Sequence, residues 1–137
     1  NNHVLDWGYG GLAETLKSLH RSGIATAGAG NNLAEACAPA ILDVPNKGRV
    51  IVLALGHRSS GIPRSWAAQP NRPGVCLLSD LSEDTAESIA RRVGGLKQAG
   101  DLLMVSIHWG GNWGYQVPEE QQRFVLDKKY SQDPKFL

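Results

Sequence analysis

At 137 residues the chain has the length of one ordinary domain, and 42% hydrophobic residues supply a real core, which excludes a disordered chain. Fourteen Lys and Arg against 13 Asp and Glu leave a formal charge of +1, giving neither a basic field for nucleic acid nor an acidic tail. No apolar run reaches the length of a transmembrane span, and the polar N-terminus lacks the charged-then-apolar start of a signal peptide.

Residues 1–9, NNHVLDWGY, are polar and aromatic without a clean period and read as a loop. From Gly10 onward, Leu12, Leu16 and Leu19 recur at helical spacing with Glu14 and Lys17 on another side, and Gly23 is a natural stop. IATAGAG (24–30) predicts a short buried strand running into a glycine loop. Asn31 or Asn32 then caps a short helix over 33–37, broken before Pro39. PAILDV (39–44) and RVIVLAL (49–55) flank Pro45-Asn46-Lys47-Gly48, which predicts an antiparallel hairpin.

The stretch 56–74 holds three prolines, three glycines and Trp66, and reads as a long functional loop with one helical turn near Pro63. VCLL (75–78) is a short strand. Ser82 caps a helix with Glu83 and Asp84 in its first turn; Ala86, Ile89, Ala90, Val93 and Leu96 form its apolar stripe, and Gly100 ends it. DLLMVSI (101–107) is a near-continuous apolar run, the mark of a strand covered on both faces. It ends in HWGGNWG (108–114), after which Pro118, Glu119 and Glu120 open another helix. The last eleven residues, DKKYSQDPKFL, read as a frayed polar tail. Strands alternating with helices, plus a hairpin, predict a layered α/β fold with a mixed sheet.

Cys37 and Cys76 form no CxxC or zinc spacing; two buried free thiols are the favoured reading, with a disulfide between them as the alternative.

Two clusters can carry chemistry. Asn2, His3 and Asp6 share a loop leading into a helix, and His108 ends a buried strand before a glycine-rich turn. Ligands of open α/β sheets bind outside the carboxyl ends of the strands, and imidazole suits divalent transition metals. The plain alternatives are a buried, carbonyl-satisfied His108 and a structural helix-entry turn for His3 and Asp6. His57 ends the strand 49–55, and Arg58 and Arg64 in the loop beyond it suit an anionic substrate, although solvated loop charge explains both arginines. Trp66, Trp109 and Trp113 read equally as a ligand wall or as packing under loops, and His20 reads as a surface residue. No GxGxxG, phosphate loop or GxSxG elbow is present.

NNHVLDWGYGGL, GIATAGAGNNLAEACAPAIL, SSGIPRSWAA, RPGVCLLSDLS and GDLLMVSIHWGGNWGYQVP, in this order and spacing, resemble the CapA family of capsule or poly-γ-glutamate synthesis proteins, within the calcineurin-like metallophosphoesterases. The resemblance covers residues 1–126 and implies a sheet-on-sheet core flanked by helices, with 127–137 a non-matching tail. It implies Asn2 and His108 as metal ligands, His3 as the histidine acting on the leaving group, and Asp6 orienting that loop. By their own chemistry and place in the loops, rather than by the resemblance, His57, Arg58, Arg64, Trp109 and Asn112 are the expected substrate contacts. The implied cofactor is a pair of divalent ions, Mn, Fe or Zn, activating a water against a phosphoester or a related bond.

The superfamily places an acid directly after the histidine, where Val4 stands here. Its Asp-x-His and Gly-Asp segments before Asn-His and its Gly-His-x-His segment after HWG are also missing. Two ligands do not hold a metal pair, so this chain is expected to be an incomplete core, inactive alone. Such a core exposes strand edges and self-associates. The partners expected are an anionic polymer or phosphoester, without nucleic acid or a membrane span. The alternative function is a non-catalytic component that binds or assembles an anionic polymer through the HWGGNWG loop, Arg58 and Arg64.

Overall fold

A computed structural model describes residues 2–126; Asn1 and the expected tail 127–137 lie outside the described residues. In chain order the elements are α1 (Gly8–Arg21), β1 (Ala29–Gly30), α2 (Leu33–Cys37), β2 (Ala40–Val44), β3 (Gly48–Gly56), β4 (Gly74–Val75), α3 (Glu83–Gly94), β5 (Leu102–His108) and α4 (Glu119–Leu126). Two 3₁₀ turns, Arg58–Ser60 and Arg64–Trp66, lie between β3 and β4, where the sequence predicts one. No helix among the described residues is long and apolar enough to cross a membrane.

The expected mixed sheet has the order β2-β3-β5. β2 and β3 form the predicted hairpin, Ala40 opposite Val52 and Val44 opposite Gly48. Its turn needs positive φ at Asn46 (62°) and Gly48 (100°), which those two residue types tolerate best. β5 runs parallel to β3, from Val50 opposite Leu102 to Gly56 opposite His108. β1 and β4 form a separate antiparallel pair. Gly30 is obligatory in that pair, because a Cβ there would lie 2.4 Å from the Ala36 nitrogen.

Leu53 and Leu55 of β3 are buried with Ala36, Ala68, Cys76, Leu78 and Val93, and Ile89, Leu103, Ile107 and Phe124 pack on this core. A second cluster of Leu5, Leu12 and Leu16, joined by Val4, Ala29 and Trp66, fastens α1 and the N-terminal turn. Asn32 caps α2, its side chain accepting from the Glu35 N–H. Ser82 caps α3 by accepting from the Thr85 N–H. Beside it Asp80 accepts from the Ser82 and Thr85 hydroxyls and the Ser82 N–H, which holds its carboxyl well below the usual carboxylate range.

Four expectations are corrected. The strand foreseen over 24–30 forms only at Ala29–Gly30, because Gly28, at φ 87°, leaves the extended region. α3 ends at Gly94, capped by Gly95, well short of Gly100. β5 is not covered on both faces: Leu102, Met104 and Val105 are exposed. It is an edge strand among the described residues, and an apolar run does not report whether a neighbour exists to cover it. Finally, Cys37 and Cys76 are not free thiols but form a disulfide, with Cα atoms 4.9 Å apart. The chain brings the end of α2 beside the segment after β4, a proximity that a sequence separation of 39 conceals.

Candidate functional site

The N-terminal turn is built before any chemistry is added to it. The Asp6 N–H donates to the His3 carbonyl at 3.3 Å and the Gly8 N–H to the Leu5 carbonyl at 2.8 Å, so residues 3–8 coil into the start of α1. Leu5 points into the core while His3 and Asp6 stay exposed. Nδ1 of His3 lies 2.7 Å from Oδ2 of Asp6. A carboxylate on Nδ1 fixes the ring and leaves Nε2 toward solvent, the arrangement used to orient a general acid or base. The turn rests on the loop leaving β3: Tyr9 Oη donates to the Ser65 carbonyl at 3.4 Å, and Trp66 packs on the Leu5 cluster. Trp66 is therefore packing rather than a wall. Arg72 braces the same loop by donating to the carbonyls of Ser65 and Ala67, at 3.1 and 3.2 Å.

His108 occupies the last position of β5, beside Gly56 of β3. It is exposed, so the buried, carbonyl-satisfied reading does not hold. Its own carbonyl accepts from the His57 N–H at 2.9 Å, which places both histidines at the carboxyl ends of adjacent parallel strands. The ring of His57 is held by Ser59, with Oγ 2.8 Å from Nδ1. Trp109 stacks edge-on against Phe124 of α4, centroids 6.0 Å apart, and anchors the base of the following turn. Asn112 and Trp113 stand exposed in that turn, as do Arg58 and Arg64 in the loop after β3. Asn2 is half-buried at the start of the N-terminal turn, and His20, as expected, is exposed on α1.

The structure thus joins His3 with Asp6, and His57 with His108; among the described residues no hydrogen bond or ion pair links the two groups. Sequence reasoning passed over Ser59 and Gln121. The signal for Ser59 was present: a hydroxyl two residues after a histidine at a strand end can reach back to the ring. Gln121 shows no signal in sequence, since its burial depends on how α4 packs.

Residues 1–127 match the profile of the bacterial capsule synthesis protein family PGA_cap. The chain belongs to this family. Among PGA_cap relatives, a probable polyglutamine synthesis accessory protein of Mycobacterium tuberculosis, in strain CDC 1551 and again in strain H37Rv, is 47% identical over 116 residues. That alignment takes in 84% of this chain and 30% of the relative. The PGA biosynthesis protein CapA of Bacillus subtilis is 30% identical over 124 residues, 90% of this chain and 30% of the relative. The chain therefore spans under a third of the length of these proteins.

The metal pair expected from the CapA resemblance needs at least three protein ligands per catalytic ion. Among the described residues no three His, Cys, Asp or Glu side chains come together in a way that would hold one. Nδ1 of His3 and of His57 are engaged by Asp6 and Ser59. The described residues do not by themselves fit a metal centre, and no chemical step is derived through one.

Proposed function

We propose that this PGA_cap chain supplies the acid–base part of a phosphoester-hydrolase-type site in a capsule or poly-γ-glutamate synthesis protein. The observation that carries the reading is the 2.7 Å contact between His3 Nδ1 and Asp6 Oδ2 on an exposed turn. Asp6 holds the ring, and Nε2 of His3 gives a proton to the leaving oxygen. His57, Arg58, Arg64, Trp109 and Asn112 contact the anionic substrate from the loops after β3 and β5. A divalent ion (Mn, Fe or Zn) bound through Asn2 and His108 requires further ligands from outside residues 2–126.

The test is hydrolysis of bis-p-nitrophenyl phosphate by the complete protein, with Mn²⁺ supplied. His3→Gln is expected to lower kcat by about 100-fold or more, and Asp6→Asn by about tenfold. Wild-type turnover in His3→Gln overturns the reading. A second reading, non-catalytic binding of an anionic polymer, draws on the exposure of Arg58 and Arg64. It predicts salt-sensitive binding that survives EDTA and is lost in the double Arg58→Ala, Arg64→Ala variant.

A further inference from the structure

The carboxyl ends of β3 and β5 are tied together by one hydroxyl. The Gly110 N–H, in the turn after His108, donates to Ser59 Oγ at 2.9 Å. Ser59 Oγ lies 2.8 Å from His57 Nδ1, and the Ser59 N–H donates to the same nitrogen at 3.4 Å. The main chain of His57 is held as well, its carbonyl accepting from the Ser60 N–H at 3.1 Å and from Ser60 Oγ at 2.8 Å.

The Ser59 N–H selects one tautomer of the His57 ring. A backbone N–H only donates, so Nδ1 of His57 carries its lone pair. Ser59 Oγ already accepts from Gly110 and has one proton left, which it gives to Nδ1. In the neutral ring the remaining proton is on Nε2. The other tautomer could still give Nδ1–H to the second lone pair of Ser59 Oγ, but it would set that proton against the Ser59 N–H and leave the N–H without its acceptor. A metal ligand would need its lone pair on Nε2, so this network makes His57 a donor and not a ligand. A second polar group borders the same turn. The Gln121 side-chain nitrogen is buried, has no hydrogen-bond partner among the described residues, and lies 3.7 Å from where a Cβ on Gly110 would stand. A buried donor without a partner is costly, and here it adjoins the turn that follows His108.

We propose that Ser59 is a positioning residue that fixes His57 as an Nε2–H donor to an anionic oxygen, phosphoryl or carboxylate, of the substrate held beside His108. The proposal rests on the functional reading above for the presence of that substrate, and on the Ser59 network alone for the tautomer.

The experiment is ¹⁵N NMR of the imidazole rings in mildly alkaline buffer, on wild type, Ser59→Ala and Ser59→Thr. Wild type is expected to show His57 with its proton on Nε2. Ser59→Ala keeps the backbone N–H but loses the hydroxyl, so its Nδ1 resonance is expected to move toward that of a free acceptor nitrogen, and Ser59→Thr, which keeps the hydroxyl, to retain the wild-type shift. A proton on Nδ1 in wild type, or an Nδ1 resonance unchanged in Ser59→Ala, overturns the proposal. Inorganic phosphate and glutarate are then titrated separately. A saturable shift of His57 Nε2–H, with affinity about fivefold weaker in Ser59→Ala and restored in Ser59→Thr, supports it. A shift with phosphate assigns a phosphoryl oxygen, and one with glutarate a carboxylate; a shift with neither removes the donor role. None of these signals requires turnover. An inactive site therefore leaves the His57 assignment standing, and a wrong tautomer sinks it even where hydrolysis is intact.

Discussion

Asp101 stands at the foot of β5, buried, and Arg49 reaches it from the neighbouring strand. The Arg49 Nε–H donates to Oδ1 at 3.0 Å, a second guanidinium N–H donates to Oδ2, and the Gln98 N–H donates to Oδ2 at 2.8 Å. The Arg49 guanidinium first, and the Gln98 N–H second, hold the Asp101 carboxyl down at about 2. Because that value lies below the ordinary 3.8 of an aspartate, the pair stabilises the fold fully above the ordinary value. The contribution is lost as pH falls from there through about 2. Thermal denaturation of Asp101→Asn beside wild type is expected to show a lower Tm at pH 7 and a gap that narrows as the pH approaches 2. A gap that stays constant over that range would show that the pair is not what Asp101 contributes.

β5 joins two roles that conflict, since it presents His108 at one end while its exposed flank invites another strand. Leu102 and Met104 lie on one face of β5, next in register to Val50 and Val52 of β3, and both are more than half exposed. We expect the chain of residues 1–137 to associate through this face and edge, with the oligomer fraction in sedimentation rising with concentration. Leu102→Lys with Met104→Lys is expected to weaken association roughly tenfold or more, the equivalent of about 1.4 kcal/mol. A chain that stays monomeric at high concentration contradicts this. The same strand shows where the sequence was legible. Its existence, its length and its end at His108 follow from an apolar run meeting a glycine-rich turn, and the Asn-Gly hairpin and the Ser82 cap are equally local. The exposure of Leu102 depends on no strand lying beyond β5 among the described residues, and the His57–Ser59–Gly110 network depends on β3 and β5 lying side by side. Neither is encoded within a few residues, so neither could be read in advance. The grouping of His3 with Asp6 was legible because both share one turn, whereas their 2.7 Å contact is seen only in the structure.

At the scale of the molecule, the disulfide between Cys37 and Cys76 encloses β2, β3 and the whole loop to β4 within one covalent ring. Removing it by Cys37→Ser with Cys76→Ser is expected to cost about 4 kcal/mol on the loop-closure account of a 39-residue separation. That corresponds to a Tm lower by roughly 10–15 °C in calorimetry. A double variant as stable as wild type would show that packing alone holds the α2 end against β4. The ring also carries the segment on which the candidate site depends, since His57, Ser59 and the support for the His3 turn all lie inside it. Thiols close in this way only where an oxidant reaches them, and a reducing cytosol keeps them open. The stabilisation that the ring supplies is therefore conditional on its surroundings: under reducing conditions the end of α2 is held to the segment after β4 by packing alone.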